Sequence, residues 1–451
     1  MMGFHGLLII GDDKMVTNLK RSASFFIPFI FALMILLNMN LEGNIYINSA
    51  LYQDWMGFKS TDTEFYNRLS SRLKLELLNR PGEGWTLSFD IRNRATIGEG
   101  GSNQFIIYNS NISYNVPGRR IFFTLGQMNL YDTAGIGELT GGLAGFKLND
   151  EISIGAYGGL NPEIYNSRWD TKYRKYGFFT TFKGKKARSI SLSYNYLQYD
   201  SQTEREYIYA NTLFPVSSKV ILYGSIEYEL KGGLRSEDRI SRLFANTRIE
   251  PTKNLSINFN YSSGRGMDYH QFVLDQSMDP SLSISDIERF YYSETYGVRF
   301  TFTPVKNLRL HISKRSSEQK DDNIKNNSTR FGLSSGNILN SGFGIYGNYT
   351  LNRGDLSESD SYYLSISRNF NKISWNLSLS SYFNSIRFAT LERPEIIFNP
   401  DRRTLATNLF YYLNRAVAFS MEYSFSFSND FNDHQFFLRV IYRKRQQKVK
   451  K

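Results

Sequence analysis

The chain has 451 residues, a formal net charge of +12 and no cysteine, and 16% of its residues are aromatic. The lack of cysteine excludes disulfide frameworks, thiolate metal sites, thiol nucleophiles and lipoprotein anchors. The four histidines leave little for a histidine metal cluster, so we expect no metal and no cofactor. A soluble chain this rich in Tyr and Phe would also carry continuous apolar runs, and beyond residue 40 there are almost none.

The N-terminal segment has the features of an export signal. An apolar run from Phe25 to Leu37 follows Lys20 and Arg21. The run is too short for a helix across a hydrocarbon core of roughly 30 Å, but it fits a secretory signal peptide. We therefore expect residues 1–43 to be a signal peptide, with Met15 as the true start. The alternative is an amphipathic or buried helix.

From about residue 45 onward, apolar and polar residues alternate. The pattern is clear in 190–196, 255–262, 373–380 and 417–428. Side chains alternate across a strand, so each stretch predicts a strand with one apolar and one polar face. The stretches are eight to twelve residues long, which suits a membrane-crossing strand of about 9–11 residues better than a strand of a soluble sandwich.

Short turn-like breaks recur along the chain, most of them 31 to 36 residues apart. They lie at 79–83, 116–118, 149–150, 183–185, 215–217, 251–253, 304–306, 336–337, 371–372 and 414–415. Short turns on one side and longer loops on the other are typical of outer-membrane barrels, and an open sheet edge cannot exist in lipid. We predict an all-β fold, a single closed antiparallel transmembrane β-barrel of about 22 strands (range 18–24) over residues 44–443. Its short turns and both termini would be periplasmic and its loops extracellular, with a basic tail over 444–451.

The chain resembles the porin-like outer-membrane barrels of Gram-negative bacteria over nearly all of residues 44 to 443. The resemblance is one of pattern, strengthened by Phe436 to Tyr442, which is similar to the aromatic closing strand of that family. It implies the outer membrane as location and recognition by the barrel-assembly machinery. The basic tail departs from the family, whose closing strand ends the chain. The alternative fold is a secreted all-β solenoid or sandwich array.

A barrel of this width has a lumen that wall side chains alone cannot fill. The sequence has no room for an N-terminal plug domain, so the lumen is open, closed by in-folded loops, or filled by a partner protein. The widest gap, 264–290, is the main constriction-loop candidate, and an extracellular loop is the alternative. Its acidic residues are Asp268, Asp275, Asp279, Asp286 and Glu288. The segments 384–402 and 135–145 are further candidates for folding inward.

The predicted polar faces of the strands carry more basic than acidic residues. The basic residues are Arg68, Arg72, Lys74, Arg92, Arg242, Arg248, Arg299, Arg309, Arg330 and Arg439. The acidic ones are Glu76, Asp90, Glu227, Glu229 and Glu422. Low-dielectric walls focus the field of such an excess, which predicts a lumen that attracts anions. The alternative is that these arginines pair with the acids or face lipid headgroups.

An enzyme barrel would depend on His311 with Ser313, or on Asp433 with His434. The first pair would face the lumen, and the adjacent residues of the second would face opposite sides, so we expect no enzymatic activity. We expect a passive channel that passes or exports anionic solutes, among them acidic saccharides. The alternative is a sheath around a partner protein of an export or electron-transfer assembly. Expected partners are outer-membrane lipid and lipopolysaccharide, the barrel-assembly machinery and a lumen-filling or periplasmic protein, but no nucleic acid.

Overall fold

The computed structural model describes residues 46–60, 65–78, 84–97, 102–116, 118–130, 133–162, 169–233, 240–265, 292–320, 323–338, 341–355, 357–390, 393–398, 401–428 and 432–445. The predicted signal peptide and most of the predicted tail lie outside these ranges. No helix in the described part of the chain is long and apolar enough to cross a membrane.

The described residues form one antiparallel sheet of strands in chain order. The strands are β1 (Tyr46–Ser60), β2 (Tyr66–Leu78), β3 (Trp85–Ile97), β4 (Asn103–Asn115), β5 (Ile121–Asn129), β6 (Glu138–Lys147), β7 (Ile152–Leu160), β8 (Tyr173–Lys183), β9 (Ser189–Tyr199), β10 (Gln202–Pro215), β11 (Val220–Gly233), β12 (Ile240–Thr252), β13 (Leu255–Arg265), β14 (Tyr292–Val305), β15 (Leu308–Gln319), β16 (Ile324–Ser335), β17 (Phe343–Gly354), β18 (Ser357–Asn369), β19 (Ile373–Thr390), β20 (Arg393–Phe398), β21 (Asp401–Tyr412), β22 (Val417–Phe427) and β23 (Asn432–Arg445).

The sheet closes on itself. β1 pairs with β23 from Asn48 opposite Arg445 to Ser60 opposite Asp433. β19 pairs with β21 over its first part and with β20 over its last, so β20 and β21 together occupy one position in the wall. The described chain is therefore a closed barrel of 22 strands, which confirms the predicted fold.

The two faces of the wall differ as the alternation predicts. In β9, Ile190 and Leu192 are exposed on the outer face, whereas Ser191, Ser193 and Asn195 are buried on the inner face. Directly paired residues share a face, so the strand registers extend this assignment around the barrel. Apolar side chains can contact lipid without giving up hydrogen bonds to water, so the apolar positions of each strand point outward.

The two ends of the barrel also differ. One end, called the turn end here, carries the start of β1, the end of β23 and the short connections, and the opposite end is called the loop end. At the turn end, Asn414 holds one connection by accepting hydrogen bonds from the backbone N–H groups of Ala416 and Val417, both at 2.8 Å. At the loop end, the connection Asp200–Ser201 is tight, and both residues have positive φ as a two-residue hairpin of this type requires.

Glycines on the inner face of β5 to β8 allow neighbouring strands to approach closely. A Cβ at Gly141 would overlap the carbonyl oxygen of Gly158 and the Cα of Gly159 on β7. A Cβ at Gly142, on the outer face of the same strand, would meet only a methyl group of Leu125. The wall therefore has room for a side chain at Gly142 but not at Gly141.

We expect Gly141→Ala to destabilise the barrel by about 1–3 kcal/mol, because β7 must move to admit the methyl group. Gly142→Ala is the matched control, because the Leu125 side chain can rotate away. The measurement is the urea midpoint of unfolding in detergent for both variants. Equal midpoints would contradict the close approach of β6 and β7.

Candidate functional site: the barrel lumen

The strand registers place the ten predicted basic residues on the inner face. They fall into three groups. Arg68, Arg72, Lys74 and Arg92 lie together on β2 and β3, with Arg439 nearby on β23. Arg242 and Arg248 lie on β12; Arg299, Arg309 and Arg330 lie on β14, β15 and β16.

Half of the ten form ion pairs. Arg72 donates to both carboxylate oxygens of Asp90 at 2.7 and 2.8 Å, and Lys74 Nζ lies 3.3 Å from the same carboxylate. Across the closing strands, Arg439 donates to Asp54 at 2.7 and 3.0 Å. The remaining pairs are Arg242 with Glu227 at 3.6 Å and Arg248 with Glu250 at 2.5 Å. The positive charge of these five residues is largely compensated.

Arg68 and Arg92 have neutral side-chain partners instead of carboxylates. Arg92 donates to the Ser70 hydroxyl at 2.7 Å, and Arg68 contacts the sulfur of Met56 at 3.4 Å. Arg94, an inner-face residue of β3 that the sequence analysis did not single out, has a buried Nε atom with no hydrogen-bond partner in the described structure. These three guanidinium groups lie on the paired strands β2 and β3.

The largest uncompensated group is the arginine patch, defined as Arg299, Arg309, Arg315 and Arg330. Each lies directly opposite only Ser, Thr, Asn or Gly on the adjacent strands. Arg330 donates to the Thr350 hydroxyl at 3.1 Å, and none of the four has an ion pair among the described residues. From β13 to β19, no described inner-face position carries a carboxylate. Arg315 is the member that the sequence analysis missed.

An aromatic row lies beside the arginine patch and consists of His311, Tyr346 and Tyr363. The His311 ring lies over Gly332, whose missing side chain leaves the space, and stacks on Tyr346 with ring centroids 6.5 Å apart. The Tyr346 and Tyr363 rings follow at 5.7 Å. The row gives this part of the wall flat apolar faces among hydroxyl and amide groups.

The two histidine pairs do not form catalytic arrangements in the described residues. His311 and Ser313 share the inner face, but no hydrogen bond joins them, and Ser313 lies opposite Arg299 and Arg330. Asp433 shares the inner face with Ser426, whereas His434 points outward and contacts the Tyr423 hydroxyl at 2.9 Å. No group of His, Asp and Glu among the described residues could hold a metal ion.

Residues 133–137, between β5 and β6, fold onto the inner wall and are called the inner segment. Ala134 and Ile136 are fully buried. The Ala134 carbonyl oxygen accepts a hydrogen bond from Ser193 Oγ at 2.9 Å, and the Ile136 carbonyl oxygen accepts one from Lys175 Nζ. The segment therefore lies over the inner face of β8 and β9, to which these two hydrogen bonds join it.

Apolar contacts and a hydrogen-bond chain hold the inner segment in place. Its buried side chains pack with Met128, Leu139, Leu143, Tyr157 and Phe179. Behind them, the Tyr157 hydroxyl donates to Asn195 at 2.5 Å, and Asn195 donates to Ser193 at 2.8 Å. Gly135 has a φ of 65° and lies against the ring of Tyr209.

A buried ionic network lies on β10 and β11 at the loop end. Arg205 donates to Glu229 at 2.6 Å, to Glu227 at 2.7 Å and to the Ser241 hydroxyl at 2.9 Å, and its guanidinium lies 4.0 Å from the Tyr207 ring centre. The Glu229 side chain is only 2% exposed. The spacing of Glu227 and Glu229 on one face was the only sequence signal for this network.

The other loop candidates have different outcomes. Asp268, Asp275, Asp279, Asp286 and Glu288 lie outside the described residues. The segment 384–402 is largely an extended hairpin, because β19 continues to Thr390 and pairs with β20. Of the three candidates, the Gly-rich segment alone is described as folding inward, through its residues 135–137.

The closed antiparallel wall, with its apolar outer face and polar inner face, has the architecture of a porin-like transmembrane β-barrel. This confirms the resemblance inferred from the sequence pattern. No known protein family and no curated protein matches the sequence.

Among solved structures, the fold is similar to the translocation pore of the P pilus usher PapC, with a TM-score of 0.50, 10% identity, and coverage of 89% of this chain and 100% of that one. Pseudomonas aeruginosa OpdQ matches with a TM-score of 0.44, 10% identity and coverage of 90% and 100%. Acinetobacter baumannii OccAB4 matches with a TM-score of 0.42, 8% identity and coverage of 91% and 100%. At such low identity the likeness concerns the fold alone.

Proposed function

We propose that the protein is a passive outer-membrane channel whose lumen favours anionic solutes. The observation that carries this proposal is the arginine patch, because its four guanidinium groups lie on strands whose described inner faces have no carboxylate. A cationic surface inside low-dielectric walls raises the local concentration of anions. Rings of Arg and Lys serve this purpose in anion-conducting pores.

The aromatic row supports acidic saccharides as the solute class. A guanidinium group binds a carboxylate through two parallel hydrogen bonds. A sugar ring also has an apolar C–H face, which packs on an aromatic ring such as Tyr346 or Tyr363. A chain of acidic sugars would satisfy both surfaces at once, moving from one arginine to the next.

The proposal also includes the width of the channel and the orientation of the barrel in the membrane. The inner segment takes up part of the lumen and limits the width of solutes that pass. The turn end would face the periplasm, as short connections do in bacterial barrels. The barrel-assembly machinery would be the partner during folding.

The test is ion selectivity in a planar lipid bilayer. We expect the wild type to be anion-selective, and Arg299→Glu with Arg330→Glu to lower the anion-to-cation permeability ratio at least several-fold. Arg403→Glu is the matched control, because Arg403 lies on the outer face of β21. Unchanged selectivity in the double variant would refute the role of the arginine patch.

The alternative function, a sheath around a partner protein of an export or electron-transfer assembly, predicts a different result. The purified barrel would be folded in detergent but would conduct no ion current in the bilayer, because a sheath works only with its partner protein in the lumen. In the described structure, the largest apolar cluster of the inner wall is already covered by the inner segment, which favours the channel.

A further inference from the structure

The apolar belt of the outer face ends early on β15 and β16, where the outward residues beyond Ile312 and before Phe331 are polar. On β15 the outward residues Leu310 and Ile312 are followed by Lys314 and Ser316; on β16, Phe331 and Leu333 lie beside polar positions. Lys314 is opposite Thr329, and Ser316 is opposite Asn327. We call these four residues, Lys314, Ser316, Asn327 and Thr329, the polar notch.

The polar notch lies at membrane depth, not beyond the rim of the barrel. At about 3.4 Å per residue and a tilt of about 40°, the outward residues up to Ile312 cover about 10 Å of an apolar band about 25 Å tall. On β22, by contrast, outward apolar residues run from Phe419 to Phe427 without a break. Aromatic and aliphatic side chains also flank the notch, with Val298 opposite Lys314 on β14 and Tyr349 on β17 beside Phe331.

An apolar groove runs from the notch across β12 to β14. The groove is lined by Phe259, Tyr261, Tyr296, Val298 and Ala245, together with Lys314 and Ser316 of the notch. The groove forms because small residues lie between aromatic ones on this part of the outer face. Its shape suits an extended hydrocarbon chain.

Lys314 is exposed and has no carboxylate partner among the described residues. The nearest outward carboxylates already pair with other lysines: Glu294 with Lys320 at 3.1 Å, and Glu318 with Lys325 at 3.8 Å. A lysine charge facing hydrocarbon is costly, so an anion at this position would offset the cost. The groove beside it places that anion at the head of an acyl chain.

We propose that the polar notch and its groove bind one outer-membrane lipid with a phosphate headgroup. The phosphate accepts hydrogen bonds from Lys314 Nζ and the Ser316 hydroxyl, and one acyl chain lies in the groove against Phe259 and Tyr296. The charge complementarity at Lys314 selects a phosphate-bearing lipid over a neutral one. This inference is independent of the proposed channel function.

The test uses the full barrel, stripped of lipid in detergent and mixed with dipalmitoyl phosphatidic acid or with a neutral diacylglycerol of the same chains. Native mass spectrometry then measures the bound fraction. We expect one retained phosphatidic acid per barrel, at least tenfold weaker retention for Lys314→Gln, and a similar loss for Ala245→Phe, which fills the groove and keeps the lysine. Lys325→Gln, at the rim and paired with Glu318, is the control with unchanged retention.

Three results would overturn the proposal. Equal retention by wild type and Lys314→Gln would show that the lysine merely extends to the membrane surface. Full retention by Ala245→Phe, or displacement of the lipid by inorganic phosphate, would indicate a headgroup site without an acyl groove. Equal retention of the neutral lipid would remove the role of the phosphate.

Discussion

Gly135→Val is expected to release the inner segment from the barrel wall. Gly135 has a φ of 65°, and a Cβ at this position would overlap the Tyr209 ring, so valine brings both backbone strain and overlap with that ring. Strain in the left-handed region costs about 1–2 kcal/mol and overpacking about 1–3 kcal/mol. This cost is comparable to what the hydrogen bonds from Ser193 and Lys175 contribute, roughly 1–3 kcal/mol each, so we expect the segment to leave its position more often than in the wild type.

The readout is single-channel recording. A released segment moves within the lumen, so we expect open-channel current noise to rise several-fold while the barrel remains folded. Gly118→Val is the matched control: Gly118 has a φ of 78° in a turn, with open space where a Cβ would lie. It carries the same backbone strain without the overlap, and its current should match the wild type. Quiet currents from both variants would show that the inner segment does not border the conducting path.

Arg205→Met is expected to destabilise the folded barrel by about 3–5 kcal/mol, because it removes the guanidinium group that pairs with the buried Glu229 carboxylate. The same change at Arg248 is the control. The Arg248 and Glu250 side chains are 52% and 39% exposed, and exposed pairs contribute about 0–1 kcal/mol. The urea midpoint in detergent measures both variants.

A double variant separates the loss of the ion pair from the loss of packing. Arg205→Met with Glu229→Leu removes both members of this pair, and we expect it to recover much of the lost stability, because the cost of burying the Glu229 charge disappears together with its partner. If Arg205→Met unfolded no earlier than Arg248→Met, the network would have no stabilising role. If the double variant were the least stable, the packing of Arg205 on Tyr207 would be the larger contribution.

The fold could be predicted because its two determinants are local. Alternation fixes which side chains face lipid, and short turn sequences fix where hairpins reverse. Residues 207–214, where apolar and polar residues alternate only weakly, still lie in a strand, β10, because the lipid-facing pattern needs only every second residue. The hairpin that β19 and β20 form beyond Ile386 was not predicted. Among the described residues its strands pair with each other only, because the neighbouring wall strands do not extend this far.

The candidate site was less predictable, because alternation gives the face of a residue and not its partner. Arg72 and Arg330 look alike in sequence, yet Arg72 pairs with Asp90 and Arg330 meets only Thr350. The partner depends on cross-strand register, which irregularities shift, as between Arg205 and Tyr207 on β10. Lys175 could not be recognised as an anchor, because its acceptor lies on the inner segment, distant in the chain.

The pairing of β1 with β23 has a consequence for how the barrel forms. Asp54 and Arg439, which are 385 positions apart, meet in this pairing. Until the last strand arrives, the edges of β1 and β23 leave a row of backbone groups unsatisfied, and in lipid each such group costs several kcal/mol. Partly closed walls are therefore scarcely populated. Closure should therefore be cooperative. The pairing of β1 with β23 joins residues that are far apart in the chain, so we expect it to form last and to hold the other strand pairings in place.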